Sequence, residues 1–127
     1  MPAYSFQKQF VPFVESGEKT HTIRGKRKNR PQPGQTFYGY YGMRTKQCRK
    51  IIHSTITCVQ DISIEFVQAG PRERNYRRIT VDREVLAPDE METLARRDGF
   101  VDLSAMMQFW PAARLPFHGD IIHWRKP

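Results

Sequence analysis

The 127-residue sequence predicts an α+β domain, a small mixed β-barrel with one short N-terminal helix and two helices in its C-terminal half. Three observations carry this. Residues 51–66 alternate β-branched and polar side chains with the period of two that marks a half-buried strand. Residues 88–97 and 102–110 carry start and stop signals at both ends of a helical pattern. No linker, repeat or low-complexity tract divides the chain, so residues 1–127 form one domain with a modest core.

Residues 4–6 open as a short strand. Phe10, Phe13 and Val14 then fall at helical spacing, with Pro12 in the first turn and Gly17 where a helix ends. Residues 19–24 are rich in Thr and Ile and read as a strand. Residues 25–33 are polar, basic and contain two prolines, which makes a loop. Residues 35–43 are a strand with Phe37 and Tyr41 on one face and Tyr38 and Tyr40 on the other. Residues 51–66 form one long bent strand or two successive ones. A basic loop at 70–76 precedes strands at 78–81 and 84–86. The first C-terminal helix starts at Pro88, has Asp89, Glu90 and Glu92 in its first turn, and ends on Arg96 and Arg97 before Gly99. The second is capped by Asp102, presents Leu103, Met106, Met107 and Trp110 on one face, and stops at Pro111. Residues 115–117 lead through a Gly119-Asp120 turn into a last strand at 121–124.

With 39% hydrophobic and 12% aromatic residues the chain is expected to fold. No run approaches eighteen apolar residues, so no membrane partner is expected. The first residues lack a cationic start and a long apolar stretch, which predicts a cytoplasmic protein. Cys48 and Cys58 form no CxxC pattern, and Cys58 occupies the place of a small buried hydrophobe. The four histidines lack zinc-site spacing, so neither metal nor cofactor is predicted.

Net charge is +8, with a pI near 9.9. Its distribution says more. The 42 residues from Lys19 to Gln60 contain ten Lys or Arg and no Asp or Glu, whereas Asp89, Glu90, Glu92, Asp98 and Asp102 lie towards the C-terminus. Such asymmetry predicts a face for a polyanion such as RNA. Arg24, Lys26, Arg27, Lys28, Arg30, Arg44 and Lys46 are its candidate contacts, mostly to phosphates. Tyr38 and Tyr40, or their opposite-face neighbours, are either core residues or stacking platforms for unpaired bases.

Gly17, Lys19, Thr22 and Arg24 fit the pattern GxKxxTxR. Further on, Ala95-Arg96-Arg97-Asp98-Gly99-Phe100 and Leu115-Pro116-Phe117-His118-Gly119-Asp120-Ile121-Ile122 fit two more elements in order. Through these three segments the chain resembles the ASCH family of the PUA-like superfamily of small β-barrels. The resemblance implies an RNA-associated module with a cleft around the first motif. In some bacterial relatives that cleft removes the acyl group of acetylcytidine with a lysine, a threonine and a glutamate; other relatives are associated with ribonuclease activity or act as binding domains. By motif position the lysine is Lys19, the threonine is Thr22, and the acid is Asp98, where the family has glutamate.

The residues themselves suit that chemistry. A partly desolvated Lys19 loses proton affinity, and a neutral lysine can take the proton of Thr22 and make it a nucleophile towards an amide carbonyl. Arg24 either anchors the following loop on backbone carbonyls or contacts a phosphate or base edge. Asp98 stands in the last turn of a helix, where the dipole disfavours a carboxylate. Strict alternation puts Lys19 on the opposite face from Thr22 and Arg24. The constellation therefore needs the strand to begin after Lys19 or to bend there. The functions left open are RNA or nucleoside binding in this cleft, hydrolysis of an acylated base or of RNA, and a non-catalytic interaction module.

Overall fold

Prolines, acidic caps and left-handed glycines mark the helix ends. The computed structural model describes residues 3–126. Among them a strand β1 (Ala3–Phe6) and a single 3₁₀ turn (Lys8–Phe10) precede α1 (Val11–Ser16). Pro12 occupies the first turn of α1, and Gly17 ends it at φ 84°, a left-handed conformation that favours glycine. In α2 (Pro88–Arg97), Glu90 accepts from Ala87 N at 2.9 Å, Asp89 and Glu90 face the positive end, and Gly99 follows at φ 96°. In α3 (Leu103–Phe109), Asp102 Oδ1 accepts from Ala105 N at 2.8 Å.

The remaining strands are β2 (His21–Gly25), β3 (Thr36–Tyr41), β4 (Arg49–Val67), β5 (Tyr76–Val81), β6 (Glu84–Val85) and β7 (Phe117–Trp124). The long β4 is the spine of a seven-stranded sheet. Its residues 49–55 pair with β3, 56–64 with β7 and 62–67 with β5, all antiparallel. β1 adds in parallel to β3, β6 to β5, and β2 to β7. Around the change of partner from β3 to β7 the register of β4 shifts between Ile56 and Cys58. This extra residue breaks the alternation, so Thr57 and Cys58 are both exposed. Cys58 is thus a surface thiol rather than a buried apolar residue.

The expected Gly119-Asp120 turn is not a turn. Both residues lie within β7, where Gly119 pairs with Gly25 and Asp120 with Arg24. Glycine is needed at 119 because a Cβ there would stand 2.2 Å from the Arg24 carbonyl oxygen and 2.7 Å from the Phe117 ring.

The sheet does not close into a barrel. β1 and β2 would have to pair to complete it, and no backbone ladder joins them. Arginines occupy that gap instead. Arg24 Nη2 donates to Ser5 O at 2.7 Å and Arg27 Nη2 to Ala3 O at 3.0 Å. The free carbonyls of β1 are therefore satisfied by guanidinium groups rather than by a neighbouring strand.

Two hydrophobic clusters lie on opposite faces of β7, reached by the adjacent residues Ile122 and Ile121. In the first, Phe37 stacks between Tyr4 and Trp124, with ring centroids 5.4 and 4.4 Å away. In the second, Ile62, Ile64 and Ile79 pack under Ala95, Met106 and Trp110 from the helices. Phe100 and Phe109 touch both clusters. Among the described residues no helix is long and apolar enough to cross a membrane.

Candidate functional site

The site forms where the start of β2 meets the end of α2. Lys19 precedes the strand, which begins at His21, so strand alternation does not bind it. Its backbone N–H donates to Phe13 O at 2.9 Å, which ties it to α1. Its ammonium turns to the C-terminus of α2 and donates to Asp98 Oδ1 at 2.6 Å and to Asp98 O at 2.5 Å. That carbonyl is one of the acceptors a helix end leaves free, and a cation there suits the dipole. Lys19 thereby offsets the acid that the helix end disfavours. Lys19 is 2% and Asp98 4% exposed. Burial lowers the proton affinity of Lys19, and the Asp98 carboxylate works against that shift.

Thr22 and Arg24 point from β2 to the same place. Arg24 Nε donates to Thr22 Oγ1 at 3.0 Å, which leaves the hydroxyl hydrogen of Thr22 available to another acceptor. The guanidinium lies 4.9 Å from the Phe6 ring centroid and 5.3 Å from that of Tyr4. Arg24 thus has the anchoring geometry while forming part of the wall. Lys19, Thr22, Arg24 and Asp98 all line one cavity of about 580 Å³. Its other walls are largely aromatic, with Phe6, Phe10, Tyr41, Phe100, Phe109, Trp110 and Phe117, and Arg114 adds a cation. The volume falls within the range of about 300–1,000 Å³ usual for small-molecule sites, as does the mixture of apolar walls and a few convergent polar groups.

The other predicted contacts divide. Lys26 is paired with Asp61 and, at 2.7 Å, with Asp120, and Arg30 Nε lies 3.1 Å from Asp120 Oδ1. These cations neutralise a carboxylate that is 1% exposed, in place of standing free for phosphate. Arg27 stacks over Tyr4 at 4.0 Å. Lys28, Arg44 and Lys46 are exposed and make no hydrogen bond or ion pair among the described residues. Tyr38 stacks on His53, ring centroids 4.8 Å apart, and Tyr40 is half-buried; neither lines the cavity. The register between β3 and β4 shifts at Gly39/Tyr40 by one extra residue of β4, Ile51, so β3 keeps its alternation and Tyr41, on the face of Phe37, is the tyrosine at the rim.

Sequence reasoning missed His21. Its ring is 3% exposed, and Nε2 lies 3.3 Å from Asp98 Oδ1 at an angle that makes no hydrogen bond. His21 packs on His123, ring centroids 5.3 Å apart, and His123 Nε2 is 2.7 Å from Gln60 Oε1. The clue in the sequence was a histidine inside the motif itself. Burial, with His21 and Arg97 nearby, lowers the pKa of His123 from 6.5 to about 4. The folded chain therefore holds His123 neutral where the unfolded chain protonates it. Its contribution to stability is complete above about pH 6.5 and is lost as pH falls towards 4. We expect that loss to reach about 2 kcal/mol, allowing for partial exposure, and to shrink in His123→Gln, as read by urea denaturation at pH 7 and pH 4.5.

Comparison of the chain with protein-family models, with curated proteins and with solved structures found no match.

Proposed function

We propose that this chain is an ASCH-type, PUA-like domain of the cytoplasm that receives one nucleobase of single-stranded RNA, or a free nucleoside, in the cavity beside β2. The observation that carries this reading is the meeting of an aromatic enclosure with Lys19, Thr22, Arg24 and Asp98 on a single wall. A planar base stacks on aromatic faces regardless of its identity. The ammonium, hydroxyl, guanidinium and carboxylate then offer donors and an acceptor to its hydrogen-bonding edge. Phosphates of the strand meet the exposed Arg44 and Lys46 beyond the Tyr41–Gly42 rim, while Lys26 and Arg30 brace the fold.

A second reading, hydrolysis of an acylated base, is favoured by one feature. Lys19 is buried enough to have lost proton affinity and shares the cavity with a Thr22 hydroxyl whose hydrogen is uncommitted. In this reading Thr22 attacks the amide carbonyl while neutral Lys19 accepts its proton, the C–N bond then breaks as that proton passes to the departing base nitrogen, and water hydrolyses the acyl-threonine ester to release the acid.

Fluorescence anisotropy with a short single-stranded RNA separates these contributions. Replacing Arg44 and Lys46 together by alanine is expected to weaken binding and to flatten the slope of log affinity against log salt by about 1.4, two phosphate contacts at about 0.7 each. Thr22→Val is expected to retain binding and to abolish any turnover of acetylcytidine. Failure of the wild-type chain to bind RNA or nucleoside at low salt would remove the proposal.

A further inference from the structure

A second pocket, of about 310 Å³, lies on the other face of β2 from Thr22 and Arg24. His21, His123 and Gln60 contribute to its lining, together with Asp89, Glu90 and Arg97 of α2. His21 thus faces this second pocket while its Nε2 reaches to 3.3 Å from the same Asp98 oxygen that holds Lys19. One carboxylate is shared between an ammonium lining the first cavity and an imidazole lining the second. The imidazole nitrogen is fully buried and has no hydrogen-bond partner, which is costly for a group with no purpose there.

We propose that His21 is a positioning residue that sets the charge of the Lys19–Asp98 pair, and that the second pocket is its route to solvent. With His21 neutral, Asp98 serves Lys19 alone. A proton taken up at Nδ1 makes His21 a cation beside Asp98, the imidazolium and the Lys19 ammonium then share the charge of Oδ1, and Lys19 is held less firmly.

The other charged groups around His21 fit this role. Asp98 at the end of α2 lies 3.3 Å from His21 Nε2, Lys19 shares the same Oδ1, and Arg97 of α2 lines the second pocket beside it. Asp89 and Glu90 line the pocket from α2, and Asp82 holds Gln60 Nε2 at 3.2 Å. His123 on β7 stays neutral above about pH 4, so it adds no competing charge at higher pH.

The proposal deepens the reading of the first cavity but is tested without any ligand. The Asp98 side-chain carboxyl carbon, the Lys19 Nζ nitrogen and the His21 ring are followed by NMR in the wild-type chain across a pH titration. The expected result is a step in the Asp98 and Lys19 signals at the midpoint of the His21 titration, and its loss in His21→Gln. Flat Asp98 and Lys19 signals while His21 titrates would overturn the proposal, as would an unchanged step in the variant. The wild-type titration decides the matter even if the variant does not fold. A coupled pair with no RNA or nucleoside binding would leave this inference standing and remove the nucleobase reading alone.

Discussion

Lys19→Ala is expected to lower the free energy of unfolding by about 3–5 kcal/mol, because it leaves the buried Asp98 carboxylate without its cation. Half of the pair is worse than none. Replacing both residues by apolar ones of similar size, Lys19→Met with Asp98→Leu, is expected to recover most of that loss, since it removes both desolvated charges together. Urea denaturation of the two single variants and the double variant at pH 7 gives the coupling directly. The double variant should unfold near the wild-type midpoint yet bind no nucleoside. That pattern would separate the part of the pair that holds α2 against β2 from the part that serves the cavity. If instead the single variants are as stable as the wild type, the pair is solvated and the buried site described above is wrong.

Gly119→Val is expected to cost about 3 kcal/mol or more, at the upper end of overpacking effects. Even a Cβ at this position would stand 2.2 Å from Arg24 O, and that contact is with backbone rather than a flexible side chain. β2 must then move away from β7. The displacement falls on the segment that carries Thr22 and Arg24, so the variant should lose affinity in the cavity as well as stability. Gly25→Ala is the control: Gly25 pairs with Gly119, yet a Cβ there meets nothing within 4 Å. It should unfold within about 1 kcal/mol of the wild type.

How much of this was legible in the sequence follows from how local each feature is. The helices were, because Pro12, Gly17, Pro88, Gly99 and Asp102 act on the backbone groups next to them. The meeting of Lys19, Thr22 and Asp98 in one cavity matches the expectation from the three motif segments, and Lys19 escapes strand alternation because β2 begins two residues later. The exposure of Cys58 was hidden, since the extra residue in β4 arises with its change of partner from β3 to β7. Gly119 read as a turn glycine; its actual reason, the Arg24 carbonyl, lies on a strand 95 residues earlier in the chain. The cations of the 26–30 loop looked free because the acid-free run stops at Gln60. The carboxylates that take up Lys26 and Arg30 are Asp61, the very next residue, and Asp120, far along the chain. Tyr41, on the same face of β3 as the buried Phe37, is the tyrosine at the cavity, while Tyr38 and Tyr40 on the other face stay outside it. Tertiary partners, not propensity, decided Cys58, Gly119 and the loop cations.

In the proposed reading a nucleobase enters the cavity bounded by Lys19, Thr22, Arg24 and Asp98. Amide and indole NMR shifts on titration with cytidine and acetylcytidine test it most directly. Changes are expected to concentrate at Thr22, Arg24, Gly99, Phe100 and the Trp110 indole, with little change at Tyr38, His53 and the 26–30 loop. Shifts confined to that loop or to the Tyr38–His53 surface, or no shift at millimolar nucleoside, would contradict it.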